Sequence, residues 1–302
     1  MKHVFRPYII ASFIFCNLMI ADTSRLFGML PYDYINNNIS YQLAQQQLMI
    51  LLNKEECSDR DYKKIDTLCD KISGADGITK PEFINICLIA SLFDPRNFYT
   101  YHAIERLLKF GANVNQMYTY CVDNRIKKTN PLLLATENRP APVIGLLLLY
   151  GADIMALDSD GNTALIMAAQ KKKFEVVELL IQALENNIHQ QAKKCGLLSC
   201  SDALKQTADE WQVCPLDVIN HCIAPFLPSN ARQYVPYLAA YINHQNYLGN
   251  NALMYAAGNN HFPMVGYLLK NGADAGFKNK SEYSAYNLTT RDDIKKMLRE
   301  AL

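Results

Sequence analysis

The chain has 302 residues, half of them apolar, so a sizeable core is available and disorder is not expected. Thirty Lys plus Arg against twenty-nine Asp plus Glu leave a formal charge of +1, which gives no cationic field to hold nucleic acid or an acidic membrane surface. A partner is therefore expected to be read by shape and local polarity, and it is not expected to be nucleic acid.

The first residues differ from the rest. Lys2, His3 and Arg6 make a basic start, and residues 8–20 are apolar except for Ser12 and Asn17. That run is short for a bilayer-spanning helix but has the length of a signal-peptide core. Ala21 offers a small residue at a cut, although Met19 two positions earlier fits such a site poorly. Residues 1–22 are expected to be a signal peptide and the protein to be exported or secreted, with no stable membrane span once the leader is gone. The alternatives are an uncleaved anchor and a buried first helix in a cytoplasmic protein.

Residues 23–77 read as a helical N-terminal capping region. Within it, 41–52 and 59–72 carry helical patterning, the first with a polar side of Gln42, Gln45, Gln46 and Gln47. Of nine cysteines, eight remain without the leader, an even number that an oxidising compartment could pair. Cys69 and Cys87 lie among apolar residues at helical spacing, which suits small buried hydrophobes.

From residue 78 the chain repeats itself. Asp158, Gly161, Thr163, Leu165, Ala168 and Ala169, followed by Val176, Val177, Leu179 and Leu180, align with Asn246, Gly249, Leu253, Ala256 and Ala257, followed by Met264, Val265, Leu268 and Leu269. Asn130 to Ala135 with Val143, Ile144 and Leu146 follow the same order, and Gly-Ala-Asn/Asp recurs at Gly111, Gly151 and Gly272. Gly161 and Gly249 supply positive φ for a tight turn, and Thr163 can accept from free N–H groups at a helix start. The alanine pairs let neighbouring units approach, and Gly151 and Gly272 end a second helix in the left-handed conformation.

These residues resemble the ankyrin repeat, over 78–184 with a divergent first unit and again over 245–302, where the last unit reads as a C-terminal cap. The resemblance implies an all-α fold, an ankyrin-repeat α-solenoid of stacked helix pairs with short β-turn fingers. Three departures stand out. Forty residues separate Gly111 from Gly151 where 33 are expected, which puts an insertion within 116–128. Residues 94–101 lengthen the turn of the first unit. Residues 185–244 replace the Gly-Ala ending of the third unit with a segment that reads as a helical insertion into the stack.

That insertion holds Pro215, Asp217, Ile219, Asn220 and Ile223, an echo of Pro31, Asp33, Ile35, Asn36 and Ile39. Both suit a helix start, with proline in the first turn and a carboxylate at the positive dipole end. Both also resemble fragments of an F-box, at 30–39 and 214–227, which would imply a ubiquitin-ligase adaptor or effector whose working part is the insertion.

No catalytic, cofactor or metal site is expected. There is no glycine-rich phosphate loop and no local signature of a nucleophile with its base. Cys195, Cys200, Cys214 and Cys222, with His189, His221 and His244 nearby, lack paired zinc-ligand spacing; a disulfide in an exported protein or reduced thiols remain open. His261 reads as structural, and Lys171 to Lys173 as a basic helix end.

The resemblance implies a protein-interaction module, expected to be monomeric, that binds another protein through its concave surface. Its variable positions hold Ser159, Asp160, Asn162, Gln170, Lys171, Tyr247, Leu248, Asn250, Gly258 and Asn259, and the enlarged finger adds Tyr118 and Tyr120. Large rigid aromatics suit interfaces because little entropy is lost on burying them.

Overall fold

The computed structural model describes residues 39–76, 79–93, 101–122, 125–194 and 235–302. The leader, residues 30–38 and 214–227 of the F-box-like echoes, and the cysteines from Cys195 onward lie outside the described residues, as does residues 94–100 of the lengthened turn. The chain divides into two compact units, Met1–Ala152 and Asp153–Leu302.

The first unit contains α1 (Ile39–Asn53), α2 (Asp59–Asp76), α3 (Lys80–Phe93), α4 (Tyr101–Lys109), β1 (Tyr118–Val122), β2 (Arg125–Thr129), α5 (Pro131–Asn138) and α6 (Ala141–Leu149). The two helices expected over 41–52 and 59–72 are α1 and α2, and each starts or ends on local chemistry. Ser58 and Asp61 exchange side-chain-to-backbone bonds in a capping box at the start of α2, and Thr79 and Glu82 do the same for α3. The Asp61 carboxyl is held well below the usual range, chiefly by its hydrogen bond to Lys54 and then by Ser58. At the other end of α1, the buried Arg106 guanidinium donates to the carbonyls of Leu52 (2.5 Å), Leu51 (3.3 Å) and Glu55 (3.1 Å). It thereby satisfies acceptors that a helix end leaves without partners.

Helix pairs then stack. α1 lies against α4 and α2 against α3, while α3 lies against α5 and α4 against α6. Phe83, Leu88, Leu92, Ile104 and Leu132 are fully buried between them. A second buried arginine, Arg139 in the turn between α5 and α6, donates to the Ser91 carbonyl at the end of α3. The extra residues after Gly111 form a two-stranded antiparallel hairpin, Tyr118 opposite Thr129 and Tyr120 opposite Lys127. This is strand where an all-helical fold had only fingers, and it fits the β-branched and aromatic residues of Tyr118-Thr-Tyr-Cys-Val122.

The second unit contains α7 (Ala164–Gln170), α8 (Phe174–Lys194), α9 (Val235–Ile242), α10 (Ala252–Gly258), α11 (Phe262–Lys270), α12 (Ala285–Leu288) and α13 (Asp292–Glu300). Its inner layer is α7, α10 and α12 in contact order, backed by α8, α11 and α13. Thr163 caps α7 by accepting from the Ile166 N–H, and Asn251 caps α10 from Met254. His261 begins α11, its Nδ1 accepting from the Met264 N–H. Ala168, Ala169, Ala256 and Ala257 are buried, as are Leu180 and Leu268. Leu179 and Leu269, expected to share that seam, are only half-buried.

Two expectations change here. The boundary placed between Leu184 and Glu185 falls inside the single helix α8, which runs on to Lys194. The stack, moreover, is not interrupted. Although 88 residues separate Asp158 from Asn246, α7 packs directly on α10 and α8 on α11, so the repeats before and after the insertion are in contact.

Candidate functional site: the fingers and inner helices of the second unit

Three fingers line one edge of the second unit, and one side chain at the head of each shapes its turn. Asp158 Oδ1 accepts the N–H groups of Asp160 and Asn162, both at 2.8 Å. Asn246 Oδ1 accepts those of Leu248 and Asn250, both at 3.0 Å. Asn279 Oδ1 accepts those of Ser281 and Tyr283, again at 3.0 Å. The turn then needs a residue at positive φ, which is Gly161 (76°), Gly249 (79°) and, in the last finger, Glu282 (62°). Sequence pattern alone reads the last unit as lacking its turn glycine; the backbone nonetheless adopts the glycine conformation there.

The fingers are also bonded to one another. The Tyr247 N–H donates to the Asp160 carbonyl and the Lys280 N–H to the Leu248 carbonyl, each at 3.0 Å. Asn246 Nδ2 donates to Asn162 Oδ1 (2.8 Å), and Asn279 Nδ2 to Asn250 Oδ1 (2.9 Å). His244 adds a bond from Nε2 to the Gly161 carbonyl (3.0 Å). The finger on the far side of the insertion is thus welded to the one before it.

The expected contact residues divide accordingly. Tyr247 and Leu248 form the tip of the middle finger and are 62% and 65% exposed. Asp160 and Lys171 are exposed, and Ser159, Gln170, Asn250 and Asn259 half-exposed. Asn162 is instead 5% exposed and belongs to the ladder, bonded to Asp158, Gln170 and Asn246. Asn259 donates to the carbonyls of Ala169 (3.0 Å) and Gln170 (3.3 Å), tying α10 to the end of α7. Tyr118 stands in the first unit, half-buried, its hydroxyl donating to the Asn85 carbonyl (3.1 Å), and burial pushes its pKa up. The Tyr120 side chain lies outside the described residues.

Between α10 and α12 runs an open groove of about 200 Å³, lined by Met254, Tyr255, Gly258 and Leu288 with asparagines 250, 259 and 279. Tyr255 and Asn243 were not singled out from sequence. Asn243 Nδ2 donates to the Gly272 carbonyl, as Asn115 does to Gly151, both at 3.0 Å. An asparagine four residues after a helix-ending Gly, as in Gly111 to Asn115, is the signal that would have found the role; the residue at the equivalent place before Asn243 is Ala239, which hid it.

Among the described residues, no group of three or more His, Cys, Asp or Glu side chains could hold a metal ion, and no helix is long and apolar enough to cross a membrane. His244, one of the residues near the cysteine cluster, is engaged in the finger ladder.

Residues 95–193 match the family described as ankyrin repeats (3 copies), and residues 238–288 the one described as ankyrin repeats (many copies). The B-cell lymphoma 3 protein homolog of Mus musculus is 28% identical over 199 residues, which cover 61% of this chain and 43% of that protein. The chain therefore spans less than half the length of this curated relative. Stacked helix pairs, positive-φ finger turns and both family matches agree that the chain carries ankyrin repeats, with the all-α α-solenoid class of fold and the protein-interaction role that such repeats suggest.

Proposed function

We propose that the chain is a binding module for another protein, and that the partner meets the concave side of the second unit, across the finger tips and the inner helices α7, α10 and α12. One observation carries the reading. Tyr247 and Leu248 hold two large apolar side chains in water at a tip whose backbone is fixed on both sides by the bonds to Asp160 and Lys280. An exposed aromatic on a rigid support loses little entropy when covered, which is the character of an interface anchor. Asp160 on one neighbouring finger and Lys280 on the other give the tip a polar rim.

The test is quantitative affinity capture with the full chain and with the Tyr247→Ala/Leu248→Ala double variant, matched by circular dichroism and melting temperature. Proteins bound by the first should be retained at least about tenfold less by the second, the equivalent of roughly 1.4 kcal/mol. Equal retention of every captured protein by both would place binding elsewhere.

A further inference from the structure

The groove beside the tip has a chemistry of its own. The Tyr255 hydroxyl oxygen accepts from Asn246 Nδ2 (3.1 Å) and from Asn250 Nδ2 (3.4 Å), so both of its lone pairs are used and its own proton is left to donate. Asn259 spends its Nδ2 on α7, and among the described residues no donor meets its Oδ1. Half-buried Leu288 supplies apolar surface in the same groove, above the buried Met254 at its floor, and none of the residues lining it carries a charge. A volume of about 200 Å³ is below the roughly 300–1,000 Å³ of sites that hold whole small molecules. It suits one or two side chains of a longer segment.

We propose that this groove seats an uncharged, extended segment of the partner protein, with an apolar side chain against Met254 and Leu288 and a main-chain carbonyl accepting the Tyr255 proton. Asn259 Oδ1 then takes a main-chain N–H of the same segment. A peptide backbone offers a donor and an acceptor at each residue and no charge, which is the complement of what the groove leaves unspent. The assignment rests on the concave-face reading and adds to it the kind of segment bound.

Gly258 makes the groove testable. Its backbone is not at positive φ, and a Cβ there would meet only Leu288 Cβ at 3.9 Å, so a larger side chain extends into the groove without a clash at its root. A random peptide library displayed on phage is selected on the full chain, and enriched sequences are remade as synthetic peptides. Their bound core should lack Asp, Glu, Lys and Arg and contain an aliphatic residue. Affinity should change less than about twofold between 0.05 and 0.5 M NaCl, because no charge is screened. Gly258→Leu should weaken binding at least about tenfold, and Tyr255→Phe about threefold to tenfold, the span of one hydrogen bond.

Charged, salt-sensitive peptides, no enrichment, or full binding to both Gly258→Leu and Tyr255→Phe would overturn the proposal. If Gly258→Leu does not fold, Tyr255→Phe decides alone. Peptides lost from the Tyr247→Ala/Leu248→Ala chain but kept by Gly258→Leu and Tyr255→Phe overturn the groove assignment and leave the concave-face reading standing; peptides kept by all three variants overturn both.

Discussion

Gly249 and Gly111 share a left-handed backbone, at φ 79° and 88°, yet they have different neighbours. A Cβ on Gly249 would lie 2.8 Å from the Lys280 backbone nitrogen, whereas one on Gly111 would meet nothing within 4 Å. Gly111→Ala should therefore cost only the conformational penalty, about 1–2 kcal/mol. Gly249→Ala should cost clearly more, because backbone cannot step aside, and urea unfolding of the two variants measures the difference. Gly161 stands between them: its Cβ would lie 2.8 Å from a ring carbon of Tyr247, a side chain that can rotate away. The turn glycines were legible in the repeat, but their separate neighbours were not, since these come from the adjoining finger. At Glu282 the repeat spacing marked the turn position without its glycine, and the Asn279 turn holds the glutamate in the same left-handed conformation.

Cys69 and Cys87 behave as the apolar spacing around them foretold. Both are buried, and burial raises the Cys69 thiol from 9.0 to about 12 and pushes Cys87 well above its ordinary value. At neutral pH a thiol reagent should modify Cys57, which is partly exposed, and spare these two until the first unit unfolds; mass spectrometry after timed labelling reads the order. Below about pH 9 both cysteines stay protonated, folded or unfolded. Above it the unfolded chain ionises first, so they cost the first unit stability progressively as pH rises from 9 towards 12.

Among elements, α1 depends on a residue from another helix. Arg106 of α4 donates to three carbonyls around the end of α1, across more than fifty residues of sequence. Arg106→Leu would leave the buried Leu52 carbonyl without this donor, at about 1–3 kcal/mol, and would loosen the part-buried bonds to Leu51 and Glu55. Hydrogen exchange should then quicken over residues 39–53 before it does in α5 and α6; uniform protection would contradict the tether. Helices α1 and α2 could be read from periodicity, and the starts of α2 and α3 from the pairs Ser58 with Asp61 and Thr79 with Glu82. The tether could not, because an arginine at an inward position of α4 reads as a surface charge until its acceptors are placed.

In the second unit the order of elements in space differs from that in sequence. Inserted residues read naturally as an interruption when only chain order is known. Direct packing of α7 on α10, with the bonds from Asn246 to Asn162 and from Tyr247 to Asp160, closes the gap. Replacing residues 195–234 by a short Gly-Ser linker should thus leave the second unit folded, with its melting temperature within a few degrees, about the shift that 1 kcal/mol makes in a domain of this size. A cooperative transition that vanished on this replacement would mean that the repeats need the insertion to stack. Of the proposed contact residues, sequence singled out Tyr247 and Leu248 at non-structural positions of the repeat, and the fold leaves both exposed. Sequence mistook Asn162 for a contact residue because a buried ladder amide and an exposed contact amide are the same letter.

The whole account turns on where a partner touches this chain. Hydrogen exchange of the full chain, with and without a saturating captured partner or selected peptide, tests it most directly. Binding should slow exchange at 159–160, 247–248 and along α10 and α12, and leave the outer helices α11 and α13 unchanged. Protection confined to those outer helices, or to the 118–129 hairpin of the first unit, would contradict it.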